Sequence, residues 1–231
     1  MCYTVRKYVF KLSLKWLMLG KKRMGTYIAI YVEQRIGDEW YFVGQMVENE
    51  IHQYDPDDAL EYRPDSIYDM QNYALFAILA GVRNDREELF MPIAPLRGLP
   101  DDLSAELQIW YNYVLFDEET GEFHTESLRA SWLTLEELAR FDWHGKRRKV
   151  YARVDKRVKH LFHPDSSPTW KDWPKDIPIS YHHTSKDSPY CNAIWTETYA
   201  EAAGSFLTEI LDGLLNVYGH TSDVRLVFDF H

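Results

Sequence analysis

The strongest constraint on the fold comes from β-prone runs at opposite ends of the chain. Tyr27-Ile28-Ala29-Ile30-Tyr31-Val32-Glu33 and Glu39-Trp40-Tyr41-Phe42-Val43 are rich in β-branched and aromatic residues and flank Gly37-Asp38, which predicts a β-hairpin. The chain closes on Asp223-Val224-Arg225-Leu226-Val227-Phe228-Asp229-Phe230. There Val224, Leu226, Phe228 and Phe230 recur at every second position, predicting a strand with one face wetter than the other. A hairpin first, helices in the middle and a strand last predict an α+β fold, with an antiparallel or mixed sheet packed with helices.

Between those ends the apolar spacing turns helical. The block opening at Asn72 reads as the first helix, ending near Gly81 as its cap. A proline-bearing loop, Met91 to Pro100, leads into a second helix beginning at Asp101-Asp102, whose early acids match the macrodipole. Thr134 and Glu137 form a capping-box pattern. Val150, Val154, Val158 and Leu161 predict a basic helix over Lys146 to His163. The longest helical pattern runs from Glu197 to Tyr218, with Phe206, Ile210, Leu211, Leu214 and Leu215 as its stripe. Residues 48–69 and 164–192 read as irregular, the first with at most a short helix.

Nothing in the 231 residues reads as a linker, so the expectation is one domain, 24–231, behind a basic extension, 1–23. That extension holds seven basic groups and no acid, leaving 19 basic against 36 acidic for the remainder. A body that acidic repels a phosphate backbone, so no nucleic acid is expected as partner. Small phosphorylated ligands stay compatible, because salt screens distant charges beyond ~8–10 Å. Cys2 and Cys191 make no disulfide framework and suit a reducing cytoplasm. The extension fits strand and amphipathic-helix spacing equally and lacks a signal peptide's cleavage site; no run approaches a membrane span.

No cofactor or metal is expected. His160 and His163 have zinc-compatible spacing, but no Cys-x-x-Cys or His-Glu-x-x-His accompanies them. Asp55, Asp57 and Asp58 begin like a calcium loop that Leu60 and Ser66 fail to complete. His183-Thr184-Ser185 and His220-Thr221-Ser222 match the His-x-Ser units of two-histidine phosphoesterases, yet neither sits in an apolar strand. A non-catalytic pocket needs less. Tyr73, Trp132 and Trp143 offer stacking faces, at about 1–3 kcal/mol per base. Arg83, Arg97 and Arg225 offer phosphate contacts, while Asn72 and Asn84 read base edges or cap their helix.

The block Asn72-Tyr73-Ala74-Leu75-Phe76-Ala77-Ile78-Leu79-Ala80-Gly81-Val82-Arg83-Asn84, then Arg97-Gly98-Leu99-Pro100-Asp101-Asp102-Leu103-Ser104, Ser131-Trp132-Leu133-Thr134-Leu135-Glu136-Glu137-Leu138, Phe141-Asp142-Trp143 and the closing strand resemble a large family of phage and bacterial proteins. The resemblance implies phage proteins that sequester nucleotide immune signals, such as those of CBASS or Thoeris defence. Thr125 to Ala130 and the terminal His231 depart from the family pattern, which bears on ligand identity. The resulting expectation is a homo-oligomeric binder of a small nucleotide-like molecule in the bacterial cytoplasm. Its competitors are a phosphoesterase using His183 and His220, and an interaction module acting through an acidic face.

Overall fold

The structure is a computed structural model describing residues 26–57, 59–84, 90–117, 122–123, 129–168, 172–177 and 190–231. The extension 1–23, Asp58, the segment 124–128 and the tripeptide His183-Thr184-Ser185 lie outside the described residues. The described chain divides into two compact units, 26–72 with 96–136 and 220–231, and 73–95 with 137–219.

The first unit is built on an antiparallel sheet. β1 (Ile28–Ile36) and β2 (Glu39–Phe42) form the expected hairpin, with Gly37 at φ 66° in the turn. The order is β2-β1-β11-β8, where β11 is Val224–Phe230 and β8 is Ser131–Thr134; β5 (Tyr68–Met70) shares the β2 edge of β1. Because β11 lies between β1 and β8, all seven of its residues are buried, Arg225 and Asp229 included. The expected wet face is therefore dry. Helix α2 (Ala105–Leu115; α1, Tyr73–Ala80, belongs to the second unit) covers it, with Leu107, Trp110 and Tyr111 packed against Ala29, Tyr31 and Val227. The polar groups there are satisfied internally, as where the Tyr111 hydroxyl donates to Asp229 at 3.0 Å.

The stretch 48–69, expected to be irregular with at most a short helix, holds a 3-10 turn, Glu50–Gln53, and β4 (Tyr62–Pro64), which pairs with β3 (Met46–Glu48) leading into it, and β5 begins at its end. Strands of three residues are too short to show an alternation in sequence. Asn49 holds the turn, accepting from the Ile51 amide and donating to the Leu60 carbonyl. The second helix starts at Ala105, four residues later than Asp101, because Asp102 is engaged elsewhere. A minimal pair, β6 (Phe116–Asp117) with β7 (Glu122–Phe123), follows it.

The second unit opens with α1 (Tyr73–Ala80), closed by Gly81 at φ 72° as its sequence predicts. Helix α3 (Leu135–Arg140) spans the boundary between the units. The basic helix expected over Lys146 to His163 is instead β9 (Arg147–Asp155), followed by a 3-10 stretch, Lys156–Leu161. Val150 and Val154 lie four apart, a spacing that puts them on one face of a helix or of a strand. Pairing with β10 (Tyr190–Thr198) decides the matter, and the ribbon packs Val154, Ala193 and Trp195 on Val158, Phe162 and Ile177.

The long helix expected from Glu197 is also divided. Thr198 ends β10 and caps α4 (Tyr199–Ala203) through a reciprocal capping box with Glu201. Gly204, at φ 60°, then interrupts the helix before a π-helical turn (Phe206–Leu211) and α5 (Asp212–Tyr218).

Candidate functional site

Antiparallel register places Glu33 of β1 directly opposite Arg225 of β11, and Trp132 of β8 opposite Val227. Arg225 is 3% exposed and Glu33 is fully buried, so each charge requires a partner. Arg225 Nε donates to Glu33 Oε2 at 2.7 Å. Its Nη1 donates to Asp102 Oδ1 at 2.6 Å, and its Nη2 to the Asp102 carbonyl at 2.8 Å. The other Glu33 oxygen accepts the Ser104 amide at 2.7 Å, and the second Asp102 oxygen accepts Trp40 Nε1 at 2.9 Å. Partial burial alone would raise the Asp102 pKa. Hydrogen bonds from Arg225 and Trp40, with the guanidinium charge, outweigh it and hold the carboxyl below its ordinary value.

The same guanidinium lies between indoles. Its Cζ is 3.9 Å from the Trp40 ring centroid and 5.8 Å from that of Trp132. Arg35 lies over Trp40 at 5.6 Å, and Arg97 over Trp132 at 4.7 Å. The result is an alternating ladder of Arg35, Trp40, Arg225, Trp132 and Arg97. Each cation–π contact contributes about 0.5–1 kcal/mol where exposed and more where dry. Both ends are exposed, Arg35 being paired with Asp223 at one and Arg97 standing at the other. The Arg97 backbone amide donates to Ser131 Oγ at 3.0 Å, and its Nη1 to the Trp132 carbonyl at 3.2 Å. Arg97, Asp102 and Ser104 thus pin one loop to the sheet at three points.

In the second unit Arg83 stacks over Tyr73 at 5.8 Å. Its backbone adopts φ 57°, a left-handed conformation costing a residue other than glycine about 1–2 kcal/mol. Asn84 is bonded to Phe90, donating to its carbonyl at 2.8 Å and accepting its amide at 2.9 Å. Trp143 is a core ring, 6% exposed. Its indole donates to the Leu138 carbonyl, and its ring contacts Phe141 and Phe206. The eight residues picked from sequence therefore fall into separate groups. Arg97, Trp132 and Arg225 meet in the first unit, while Tyr73, Arg83 and Asn84 adjoin in the second and Trp143 lies in its interior. Asn72 is half-buried at the end of the first unit's opening segment.

Sequence reading missed Glu33, Trp40 and Asp102. A carboxylate inside one apolar strand and a guanidinium inside another are a legible sign of a buried pair once both strands are assigned to one sheet. Trp40 carried a weaker sign, alternating with Phe42 along β2. Among the histidine candidates, His220 is exposed and the neighbouring Thr221 hydroxyl accepts the Asp223 amide at 3.0 Å, closing a local turn. No group of three or more His, Cys, Asp or Glu side chains among the described residues is placed to hold a metal.

These observations define an α+β protein in which, among the described residues, no helix is long and apolar enough to cross a membrane. Compared with family models, curated proteins and solved structures, the chain matches none.

Proposed function

We propose that this protein is a non-catalytic binder of a small nucleotide-like anion, taken at the Arg97 end of the ladder. The observation behind this reading is Arg97, an exposed guanidinium whose plane is fixed by the half-buried Trp132 and whose backbone is held by Ser131. A guanidinium held in place loses little freedom on binding, and its fork of donors fits a phosphate. The edge of Trp132 supplies apolar surface for a base. Arg225, buried and paired, is a positioning residue that supports Trp132 from behind.

Such a protein acts by mass action, removing a signal from a bacterial cytoplasm without converting it. This fits the phage anti-defence role that the sequence resemblance implies, and a homo-oligomer would carry several such sites on one particle. Native mass spectrometry of the full chain with ADP-ribose and a set of cyclic dinucleotides is the test. The expected result is a retained ligand that returns intact on denaturation. Recovery of a cleaved product would favour a phosphoesterase, and an apo mass across the whole set would end the proposal.

A further inference from the structure

The acidic excess of the chain is not shared by both units. Residues 73–95 and 137–219 hold 14 basic and 14 acidic groups, so the second unit is neutral. Within it, residues 146–159 carry eight basic groups and one acid, Asp155, which is itself bound to Arg157 at 2.8 Å. The repulsion of phosphate backbones inferred from the whole chain thus resides in the first unit.

The β9–β10 ribbon sorts these cations by face. Arg148 lies on the packed side and pairs with Glu197 at 2.8 Å. The opposite side carries the exposed Arg147, Lys149 and Tyr151, then the half-buried Arg153 whose Nε is enclosed, and Tyr151 stands directly across from Ile194. Tyr151 and Ile194 are 49% and 42% exposed. Arg147 feels the Glu201 carboxylate, whereas Lys149 has no ion-pair partner among the described residues. The underside of the ribbon is fixed by Trp195 against Phe162, at 5.1 Å between centroids.

We propose that this outer face binds single-stranded nucleic acid. Arg147 and Lys149, two residues apart on the strand, are spaced by about 6.6 Å, a pair suited to successive phosphates more than to one. An exposed ring beside that pair gives a base a stacking surface, which an acidic peptide would not require. The ring is absent from a purely electrostatic patch, and its cross-strand partner Ile194 extends the apolar platform. This surface belongs to the second unit and the Arg97 site to the first.

The test is fluorescence anisotropy of the full chain with a labelled oligothymidylate of twelve nucleotides. Saturable binding is expected, with log affinity falling against log salt by about 0.7 per phosphate engaged. Tyr151→Ala should weaken binding by at least ~5-fold with little change in salt slope, and Tyr151→Phe should restore it. Lys149→Gln should lower the slope by about one phosphate contact. Arg97→Ala, altered in the first unit, should bind the oligonucleotide like the unaltered chain, so this proposal and nucleotide sequestration can fail separately. Thermal melts of the variants exclude misfolding. Absence of saturable binding would overturn the proposal. So would equal competition by polyglutamate, which points to an acidic protein partner, or indifference to Tyr151→Ala, which points to charge alone.

Discussion

Arg225 in the first unit and Lys149 in the second are both cations on antiparallel strands, but their surroundings give them opposite uses. Arg225 is buried, bonded to Glu33 and Asp102 and enclosed by Trp40 and Trp132. Lys149 stands on the open side of a ribbon beside Tyr151, facing solvent. Burial turns a charge into a requirement for partners, so the first arrangement fixes where a loop and a sheet meet. Exposure leaves the charge available to a ligand and contributes little to stability. Residue type alone does not separate these cases; the number of layers covering the strand does.

The largest effect expected from this contrast is on Arg225→Met. Removing the guanidinium strands the Glu33 carboxylate in the interior and should cost about 3–5 kcal/mol, measured by urea unfolding. Glu33→Gln combined with Arg225→Met should recover part of that loss. If the single substitution costs under about 1 kcal/mol, the network is not holding the fold.

A second test uses the first unit's buried phenols. Burial, followed by the nearby Asp229 carboxylate, raises the pKa of both Tyr31 and Tyr111 above the ordinary tyrosine value. The raised folded-state values mean that their contribution is fully present below pH ~10 and is lost as pH rises above it. Alkaline unfolding followed by circular dichroism should therefore shift to higher pH when Tyr111 is replaced by Phe, provided the packing survives. An unchanged alkaline limb would remove these phenols from the account.

Smaller effects are expected in the second unit. Arg83→Gly relieves the left-handed backbone and should raise stability by about 1 kcal/mol, read as an increased Tm. A loss would show that the Tyr73 stack outweighs the strain. Lys149→Gln should change stability by less than about 0.5 kcal/mol in a thermal melt. A larger loss would place Lys149 with Arg225 among the groups that build the fold.

What was legible in the sequence was local. Gly37 and Gly81 announced a turn and a helix end because both need positive φ. The alternation of Val224, Leu226, Phe228 and Phe230 announced a strand. The role of Arg225 was not local, since its partner Glu33 is 192 residues away. The same limit hid β9, where valines four apart satisfied both periods until β10 was in place. Pairing choices of this kind depend on distant chain, and single-sequence spacing carries no record of them.

The most direct test of the binding account is isothermal titration of ADP-ribose and cyclic dinucleotides into the unaltered chain and into Arg97→Ala. The predicted result is at least one bound nucleotide for the unaltered chain and a ~10-fold or greater loss of affinity in the variant, with Tm unchanged. Equal affinity in both chains, or a fall in Tm comparable to that of Arg225→Met, would contradict it.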